Sequence, residues 1–299
     1  IDEASMIDTV LMYNLIKAVP EGAKLLFIGD VDQLPSVGAG TVLSDLIHSN
    51  KIPYTRLTEV FRQAAASRII RSAHDINRGR LPDLRIDAEA DFFFIQEEDP
   101  DGIANTIAGL VKTRLPAKYG FKPKTDIQVL TPMNRGRLGT RALNEDLQAI
   151  LNPSTDPLTK LGRTFHLSDK VMQLRNDYNK EVFNGDIGYI TGIDREEQEL
   201  IVRFDEREVV YDFSEVDQLT LASAATVHKY QGSECPCVVM PVHTSHYLML
   251  FRNLIYTGVT RGKKLVVLVG PKKALAMAVR NNDPVKRHTG LQVALSSTI

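Results

Sequence analysis

The sequence is poor in the features that identify several common classes of protein. Its two cysteines, Cys235 and Cys237, have no cysteine or histidine partners at zinc-binding spacings. No apolar run approaches the length of a membrane span, and no charged and then apolar signal segment opens the chain. We therefore expect buried, reduced cysteines, a cytoplasmic location and no membrane partner.

A strong net charge is also missing. Of 299 residues, 24% are charged, yet the formal charge is only -1, so the total does not indicate nucleic acid. A balanced total can still contain a basic groove. The length and the apolar content of 43% are sufficient for two domains with hydrophobic cores.

A third absence concerns nucleotide binding. The phosphate-binding pattern Gly-x-x-x-x-Gly-Lys-Ser/Thr does not occur, and residues 258–264 imitate it with the wrong spacing and no hydroxyl after the lysine. The chain also begins without methionine, inside what we predict to be a strand. We expect a C-terminal fragment whose phosphate-binding loop lies upstream.

Two segments near the N terminus place polar residues directly after apolar ones. Residues 25–28 form an apolar run typical of a buried strand, and Gly29 opens a loop with three polar side chains, those of Asp30, Asp32 and Gln33. Asp2 and Glu3 stand where a preceding strand would end. Because parallel strands present chemistry at their carboxyl ends, we predict one nucleotide site from both segments.

The pair Asp2 and Glu3 has two interpretations. In phosphoryl transfer, an Asp can hold Mg2+ while a neighbouring Glu orients the attacking water. Alternatively, Ser5 and Asp8 form a capping box for a helix predicted over residues 6–19, and the acidic pair only favours its positive end. The loop that follows one helix later favours the catalytic interpretation.

Two strings carry a resemblance to a known family. Asp2-Glu3-Ala4-Ser5 and the string GDVDQLPSVG at residues 29–38 resemble motifs II and III of the RecD-like branch of superfamily 1 helicases. The resemblance implies a motor that hydrolyses ATP and moves 5'-to-3' along single-stranded DNA. It also implies that Asp2 binds Mg2+, Glu3 activates water and Gln33 senses the γ-phosphate. Gly29 and Asp30 are then expected to lie at the nucleotide.

Residues 57–63 resemble motif IV of the same family, whose arginine, here Arg62, reaches the γ-phosphate. The fixed charge and planar fork of arginine match phosphate oxygens. The alternative is an arginine that caps or pairs near the start of the following helix.

The second half begins with an alternation of strands and helices that predicts another α/β layer. Residues 92–95 and 127–131 read as strands, and residues 103–115 and 140–150 as helices. The turn between the second strand and its helix carries four candidate DNA-backbone ligands, Thr131, Pro132, Asn134 and Arg135. A solvated basic turn is the alternative interpretation.

Residues 171–211 change to short strands with the turn Asn184-Gly185, which predicts a small antiparallel barrel. The resemblance implies an SH3-like insert beside the DNA path at this place, without specifying individual contacts.

Residues 225–234, ATVHKYQGSE, resemble motif V. The resemblance implies that Thr226 and His228 donate to DNA phosphates, whereas Gln231, Gly232 and Glu234 face the nucleotide. Individually, Thr226 also fits a helix N-cap and Glu234 a surface charge. The capping and surface-charge interpretations explain single residues, but only the resemblance to motif V explains why all of these residues occur in this order.

Residues 256–264, YTGVTRGKK, follow a helix predicted over residues 247–256 and resemble motif VI. The resemblance makes Arg261 an arginine finger that stabilises charge on the transferring phosphoryl group. Glycine replaces the family's usual alanine at Gly258 and Gly262, which lowers helix propensity and leaves Arg261 unchanged.

We therefore predict an α/β protein with RecA-like P-loop NTPase motor domains, the first one partial, and a small SH3-like β-barrel insert. Residues 1–80 belong to the first motor domain, 81–170 and 221–299 to the second, and 171–220 to the barrel. The expected function is part of an ATP-dependent DNA helicase of recombination and repair, using ATP and Mg2+. Without a phosphate-binding loop, the chain alone should be inactive.

Single-stranded DNA is the expected partner, and other subunits of an exonuclease or recombination complex are a second possibility. A non-catalytic DNA-binding subunit and a superfamily 1 RNA helicase are the alternative functions. The motor is favoured over the binding subunit because all of its expected catalytic residues are present, namely Asp2, Glu3, Gln33, Arg62 and Arg261.

Overall fold

The computed structural model describes residues 1–57, 67–85, 87, 89–282, 287 and 290–297. Arg62 therefore lies outside the described residues. The chain divides into two compact units. The first unit comprises Ile1–Arg85, Leu250–Thr260 and Ala276–Ile299, and the second comprises Ile86–Met249 and Arg261–Leu275.

The regular elements of the described residues follow in chain order. The α-helices are α1 (Thr9–Ala18), α2 (Val42–His48), α3 (Arg68–Asn77), α4 (Pro100–Gly109), α5 (Leu115–Tyr119), α6 (Thr140–Leu151), α7 (Arg252–Thr260), α8 (Lys272–Arg280) and α9 (Leu291–Ser297). The strands are β1 (Phe92–Gln96), β2 (Ile127–Thr131), β3 (Leu158–Lys160), β4 (Arg163–Phe165), β5 (Lys170–Gln173), β6 (Ile187–Asp194), β7 (Glu199–Phe204), β8 (Arg207–Asp212), β9 (Leu219–Leu221), β10 (Ala224–Thr226), β11 (Cys235–Pro241) and β12 (Gly262–Gly270).

In the first unit, the N terminus and the run at residues 25–28 pair through their backbones. Ile1 N donates to Leu26 O at 2.9 Å, and Ile28 N donates to Ile1 O at 2.8 Å. The two segments are therefore hydrogen-bonded, but neither residues 1–3 nor residues 25–28 form a regular strand, and the predicted burial is wrong, because Leu26 and Ile28 are 70% and 55% exposed. An apolar run can be buried only where a second layer of structure covers it.

The first helix is shorter than predicted. Residues Ala4–Met6 form a 3-10 turn, and α1 starts at Thr9 with Asp8 as its N-cap. Asp8 Oδ1 accepts from Leu11 N at 2.7 Å, so the Ser5 cap was wrong. Ala4 N already donates to Ile28 O, which holds this segment outside the helix. No residue of α1 is buried.

The second unit contains a parallel five-stranded sheet with the order β1-β12-β11-β2-β10. Helices α4 and α6 pack against one face of this sheet, and strands β2 and β11 are almost completely buried. The core combines residues of these helices and strands, including Ile103, Ile107, Val129, Leu143, Leu147, Val239 and Val267. The predicted strands at residues 92–95 and 127–131 are confirmed.

The same unit contains an antiparallel five-stranded sheet with the order β8-β7-β6-β5-β9. Strands β3 and β4 form a separate hairpin. Side chains from both groups of strands share one core, with Phe165 of β4, Val171 of β5 and Tyr211 of β8 fully buried. The segment at residues 171–211 therefore has the antiparallel structure that its short strands predict.

The helix predicted over residues 247–256 is wrong. A 3-10 helix covers Thr244–Met249, and α7 begins separately at Arg252. Only α7 buries apolar side chains, among them Leu254 and Ile255, whereas the 3-10 helix buries His246 and leaves Tyr247 and Leu248 exposed. Within the first unit, α7 packs against α3.

Candidate nucleotide and nucleic-acid sites

Backbone pairing in the first unit brings the two acidic strings together. Ala4 N donates to Ile28 O at 2.8 Å, and Ser36 N donates to Ser5 O at 3.1 Å. Gly29 is required by this close approach, since a Cβ there would lie 3.0 Å from the backbone nitrogens of Ala4 and Ser5. The Asp2-Glu3 pair and the Gly29-Asp30 turn therefore lie at the same edge.

Asp2 and Glu3 form a local turn at this edge. Glu3 has a left-handed backbone with φ 49, and its N–H donates to Asp2 Oδ1 at 2.8 Å. A non-glycine residue in this conformation is uncommon and is found mainly where surrounding structure holds it. Asp2 is exposed and Glu3 is half-buried, so both carboxylates have access to solvent.

Asp30 is the centre of a hydrogen-bond cluster. It accepts from Asp32 N at 2.9 Å, from Gln33 Nε2 at 3.4 Å and from Tyr256 OH at 2.8 Å. The Gln33 side chain, the predicted γ-phosphate sensor, is thus oriented by Asp30. Asp32 accepts from Asn77 Nδ2 at 2.8 Å, which joins the same loop to α3.

Two contacts of α7 with this loop were missed in the sequence. Besides the Tyr256 contact to Asp30, Thr257 Oγ1 accepts from Leu34 N at 2.8 Å and donates to Asn253 O at 2.7 Å. Thr257 is fully buried. Tyr256 and Thr257 both lie in the motif VI string, which could have marked them as site residues. The string alone does not show which groups their side chains contact.

In the second unit, two parallel strands end side by side. Thr226 of β10 pairs with Thr131 of β2, and Val227 N donates to Thr131 O at 3.1 Å. The Thr131 side chain is buried, and its Oγ1 donates to Leu138 O at 2.6 Å. Pro132 is buried as well. These two residues shape the turn that leads to α6.

A groove of about 800 Å³ opens beside these strand ends. Three of the predicted DNA ligands line it together, namely Asn134, Arg135 and Thr226. Arg135 is exposed. Further groove residues were not predicted and come from α6, the β3–β4 hairpin and the residue after His228: Arg141, Asn144, Leu161, Arg163 and Lys229.

The motif V segment forms a compact turn at the groove. Lys229 N donates to Thr226 Oγ1 at 3.2 Å, which closes a turn, but no helix begins at Thr226, so it is not the N-cap that its residue type suggests. Burial lowers the pKa of His228, which favours its neutral form near pH 7. A neutral imidazole can donate a hydrogen bond to a phosphate but adds no charge.

The other motif V residues lie elsewhere in the second unit. Glu234 lines a separate cleft of about 600 Å³ with Tyr230, Ser233 and the β7–β8 turn. Its Oε2 lies 2.6 Å from Lys263 Nζ. Gly232, with φ 75, is exposed, and Gln231 is half-buried. The structure thus separates Glu234 from the groove that Thr226 lines.

Arg261 is 4% exposed, and its Nη1 donates to Ser233 O at 3.5 Å. Its backbone carbonyl accepts from Cys235 N at 3.0 Å, which fixes the start of β12 beside β11. Cys235 and Cys237 are buried free thiols, as predicted. Within the described residues, no three His, Cys, Asp or Glu side chains are grouped as a metal site would require.

Three family models match the chain. An AAA domain matches residues 1–99, the SH3 domain of ATP-dependent RecD-like DNA helicases matches residues 143–204, and the UvrD-like helicase C-terminal domain matches residues 221–269. The SH3 match includes β3 to β7. None of the helices in the described part of the chain is long and apolar enough to cross a membrane.

Curated relatives match nearly the whole chain. The ATP-dependent RecD2 DNA helicase of Deinococcus radiodurans is 38% identical over 281 residues, covering 93% of this chain and 37% of the relative. The RecBCD enzyme subunit RecD of Mycobacterium tuberculosis is 28% identical over 318 residues, covering 100% and 53%. The chain therefore spans between about a third and about half of these relatives.

Solved structures show the same fold at lower identity. The Pif1 helicase from Bacteroides with ADP-AlF3 and ssDNA has a TM-score of 0.54 and 18% identity, covering 89% of this chain and 69% of that one. The Pif1 helicase from Candida albicans has a TM-score of 0.53 and 17% identity, covering 97% and 74%. These similarities and the SH3 match confirm the predicted fold class. Over nearly its whole length, the chain is therefore similar to RecD and RecD2 proteins, and part of it matches the SH3 domain of ATP-dependent RecD-like DNA helicases.

Proposed function

We propose that the protein is part of an ATP-dependent DNA helicase that moves 5'-to-3' along single-stranded DNA. Asp2 holds Mg2+, Glu3 activates water and Gln33 senses the γ-phosphate, while Arg62 and Arg261 stabilise the transition state. Gly29, Asp30, Gln231, Gly232 and Glu234 are the further nucleotide contacts. The identity to named DNA helicases along nearly the whole chain supports this assignment.

A single magnesium ligand at Asp2 is compatible with the observed geometry. P-loop hydrolases hold the ion with one carboxylate after a strand and with a hydroxyl of the phosphate loop, so a cluster of acids is unnecessary. Asp2 is exposed, and only its Oδ1 accepts from Glu3 N. When bound, Mg2+ neutralises charge that develops between the β- and γ-phosphates.

The groove of the second unit supports the proposed binding of DNA. Asn134 and Arg135 follow β2, Thr226 ends β10, and all three face one channel. Amide, guanidinium and hydroxyl groups donate to phosphates without reading base edges. We therefore infer binding to the DNA backbone without sequence preference, with His228 as a neutral donor from the same turn.

A DNA-binding subunit of a larger complex is the second candidate function. It is favoured by the 28% identity to a RecD protein named as a subunit of the RecBCD enzyme. In such a complex, the partners would be single-stranded DNA and other exonuclease subunits. Hydrolysis of ATP separates the two candidates, because only the motor requires it.

The groove is tested by measuring single-stranded DNA binding by the 299-residue chain at several salt concentrations. We expect Arg135→Ala to weaken binding and to reduce the slope of log K against log salt by about 1, as for one lost phosphate contact. Arg195→Ala, at the β6–β7 turn, is the matched control and should leave the slope unchanged. Equal slopes for Arg135→Ala and the unaltered chain would place DNA elsewhere.

Single-stranded RNA of the same sequence distinguishes a DNA motor from an RNA helicase. A protein that contacts only phosphates has similar affinities for single-stranded DNA and single-stranded RNA, whereas a contact to the 2'-OH gives a preference for RNA. A strong RNA preference would contradict the DNA assignment.

A further inference from the structure

The C-terminal tail supplies an arginine to the loop that follows Gln33. Arg287 Nη1 lies 2.7 Å from Gly38 O, 2.9 Å from Gly40 O and 3.3 Å from Ser36 Oγ. Arg287 is half-buried, and helix α9 of the same tail packs against α2. All of these residues belong to the first unit.

The loop has more acceptors than donors at this point. Ser36 is buried, and its single hydroxyl hydrogen is shared between Gly38 O at 3.1 Å and Gly40 O at 3.3 Å. The Asp8 carboxylate is also close, since a Cβ on Gly38 would fall 1.9 Å from Asp8 Oδ2. Converging oxygens repel one another unless a donor lies between them, and a guanidinium adds a positive charge as well.

This loop is joined to the acidic edge of the first unit. Ser36 N donates to Ser5 O at 3.1 Å, directly after the Asp2-Glu3 pair. Thr9 N, in the first turn of α1, donates to Ala39 O at 2.9 Å. A displacement of residues 36–40 would therefore act on both the turn that carries Glu3 and the start of α1.

We propose that Arg287 is a positioning residue that holds residues 36–40 and, through Ser5, keeps Asp2 and Glu3 in place for nucleotide hydrolysis. The contact goes beyond the motifs of the site, because a residue about 250 positions later completes the loop. The hydrolytic role rests on the proposed function, whereas the contact itself does not.

Hydrogen exchange of the 299-residue chain tests the contact. In Arg287→Ala, we expect the amides of Ser36 and Thr9 to exchange about tenfold faster, because local opening of the loop becomes easier. The amide of Ile76, which is buried in α3 of the same unit, is the internal reference for unchanged folding. Arg280→Ala, which removes an exposed arginine at the end of α8, is the control and should have no effect. Unchanged exchange at Ser36 and Thr9 in Arg287→Ala would overturn the proposal.

Steady-state hydrolysis of ATP tests the positioning role in a longer polypeptide that includes a phosphate-binding loop. Arg287→Ala should lower kcat about tenfold with KM for ATP changed less than about twofold, since ground-state binding is retained. An unchanged kcat would contradict positioning. Absence of hydrolysis in the unaltered polypeptide would instead contradict the proposed function, and the exchange result would still decide whether the contact exists.

Discussion

Asn144 illustrates how single side chains build the groove from distant parts of the chain. It lies on α6 and is 5% exposed. Its Nδ2 donates to Leu221 O at 3.0 Å and Ala224 O at 2.8 Å, and its Oδ1 accepts from Ala224 N at 2.7 Å. One amide therefore satisfies backbone groups at the connection between β9 and β10, immediately before Thr226.

We predict that Asn144→Ala lowers the free energy of unfolding of the second unit by about 2–4 kcal/mol. The change leaves buried backbone donors and acceptors without this amide, and each costs roughly 1–3 kcal/mol when unsatisfied. Arg141→Ala on the same helix is the control, because an exposed pair with Glu145 contributes less than about 0.5 kcal/mol. Denaturant unfolding followed by circular dichroism measures both, and equal losses would contradict this role of Asn144.

At the scale of elements, the predictions succeed where a local pattern and the surrounding layers agree. Strands β1, β2, β11 and β12 contain apolar runs, and the runs of β2, β11 and β12 are buried in the parallel sheet, whereas β1 at its edge is half-buried. Helix α6 shows apolar residues at helical spacing and is found where predicted. In the first unit, residues 25–28 are equally apolar, but Leu25, Leu26 and Ile28 are exposed because no second layer covers them.

Lys170 forms a hydrogen bond between β5 and β2, two strands that are far apart in the sequence and belong to different sheets. It lies at the start of β5, is 5% exposed, and its Nζ donates to Gln128 Oε1 at 2.8 Å in β2. Gln128 Nε2 in turn donates to Ala222 O at 3.0 Å. The first strand of the antiparallel sheet is thus connected to the parallel sheet through a buried ammonium, and this burial lowers the pKa of Lys170 to about 8.

This contact predicts a pH dependence of stability. Because the folded-state pKa of about 8 lies below the ordinary lysine value of 10.5, the unfolded chain binds more protons between those values. The free energy of unfolding should therefore rise with pH in this interval, and the cost of burying the charge is fully present below it.

Comparison with Lys170→Met isolates this contribution from the buried thiols, whose raised pKa values act in the opposite direction at alkaline pH. Between about pH 7 and pH 9, the difference in free energy of unfolding between the unaltered chain and Lys170→Met should grow by about 1 kcal/mol. Urea unfolding at both pH values measures it. A difference that stays constant with pH would mean that Lys170 keeps its proton in the folded state.

At the scale of the whole molecule, the motif strings predict the ingredients of the sites better than their arrangement. Short strings identify Asp2, Glu3, Gln33 and Thr226 because each motif is local. The hairpin residue Leu161 and the tail residue Arg287 have no such string, and their contacts depend on chain folding over long separations. A lone arginine in a polar tail therefore gave no signal.

We propose that this chain is part of an ATP-driven DNA motor. As printed, the sequence has no phosphate-binding loop, so we expect no ATP hydrolysis by the 299-residue chain itself. DNA-stimulated hydrolysis by that chain, abolished in Glu3→Ala, would contradict this expectation.

The most direct test uses a longer polypeptide that includes a phosphate-binding loop, with ATP hydrolysis measured with and without single-stranded DNA. We expect DNA-stimulated turnover, and a loss of about 10³-fold or more in kcat in Arg261→Ala, as for removal of an arginine finger. Arg195→Ala is the control and should keep full turnover. A well-folded polypeptide that binds DNA without any turnover would contradict the motor and favour the binding subunit.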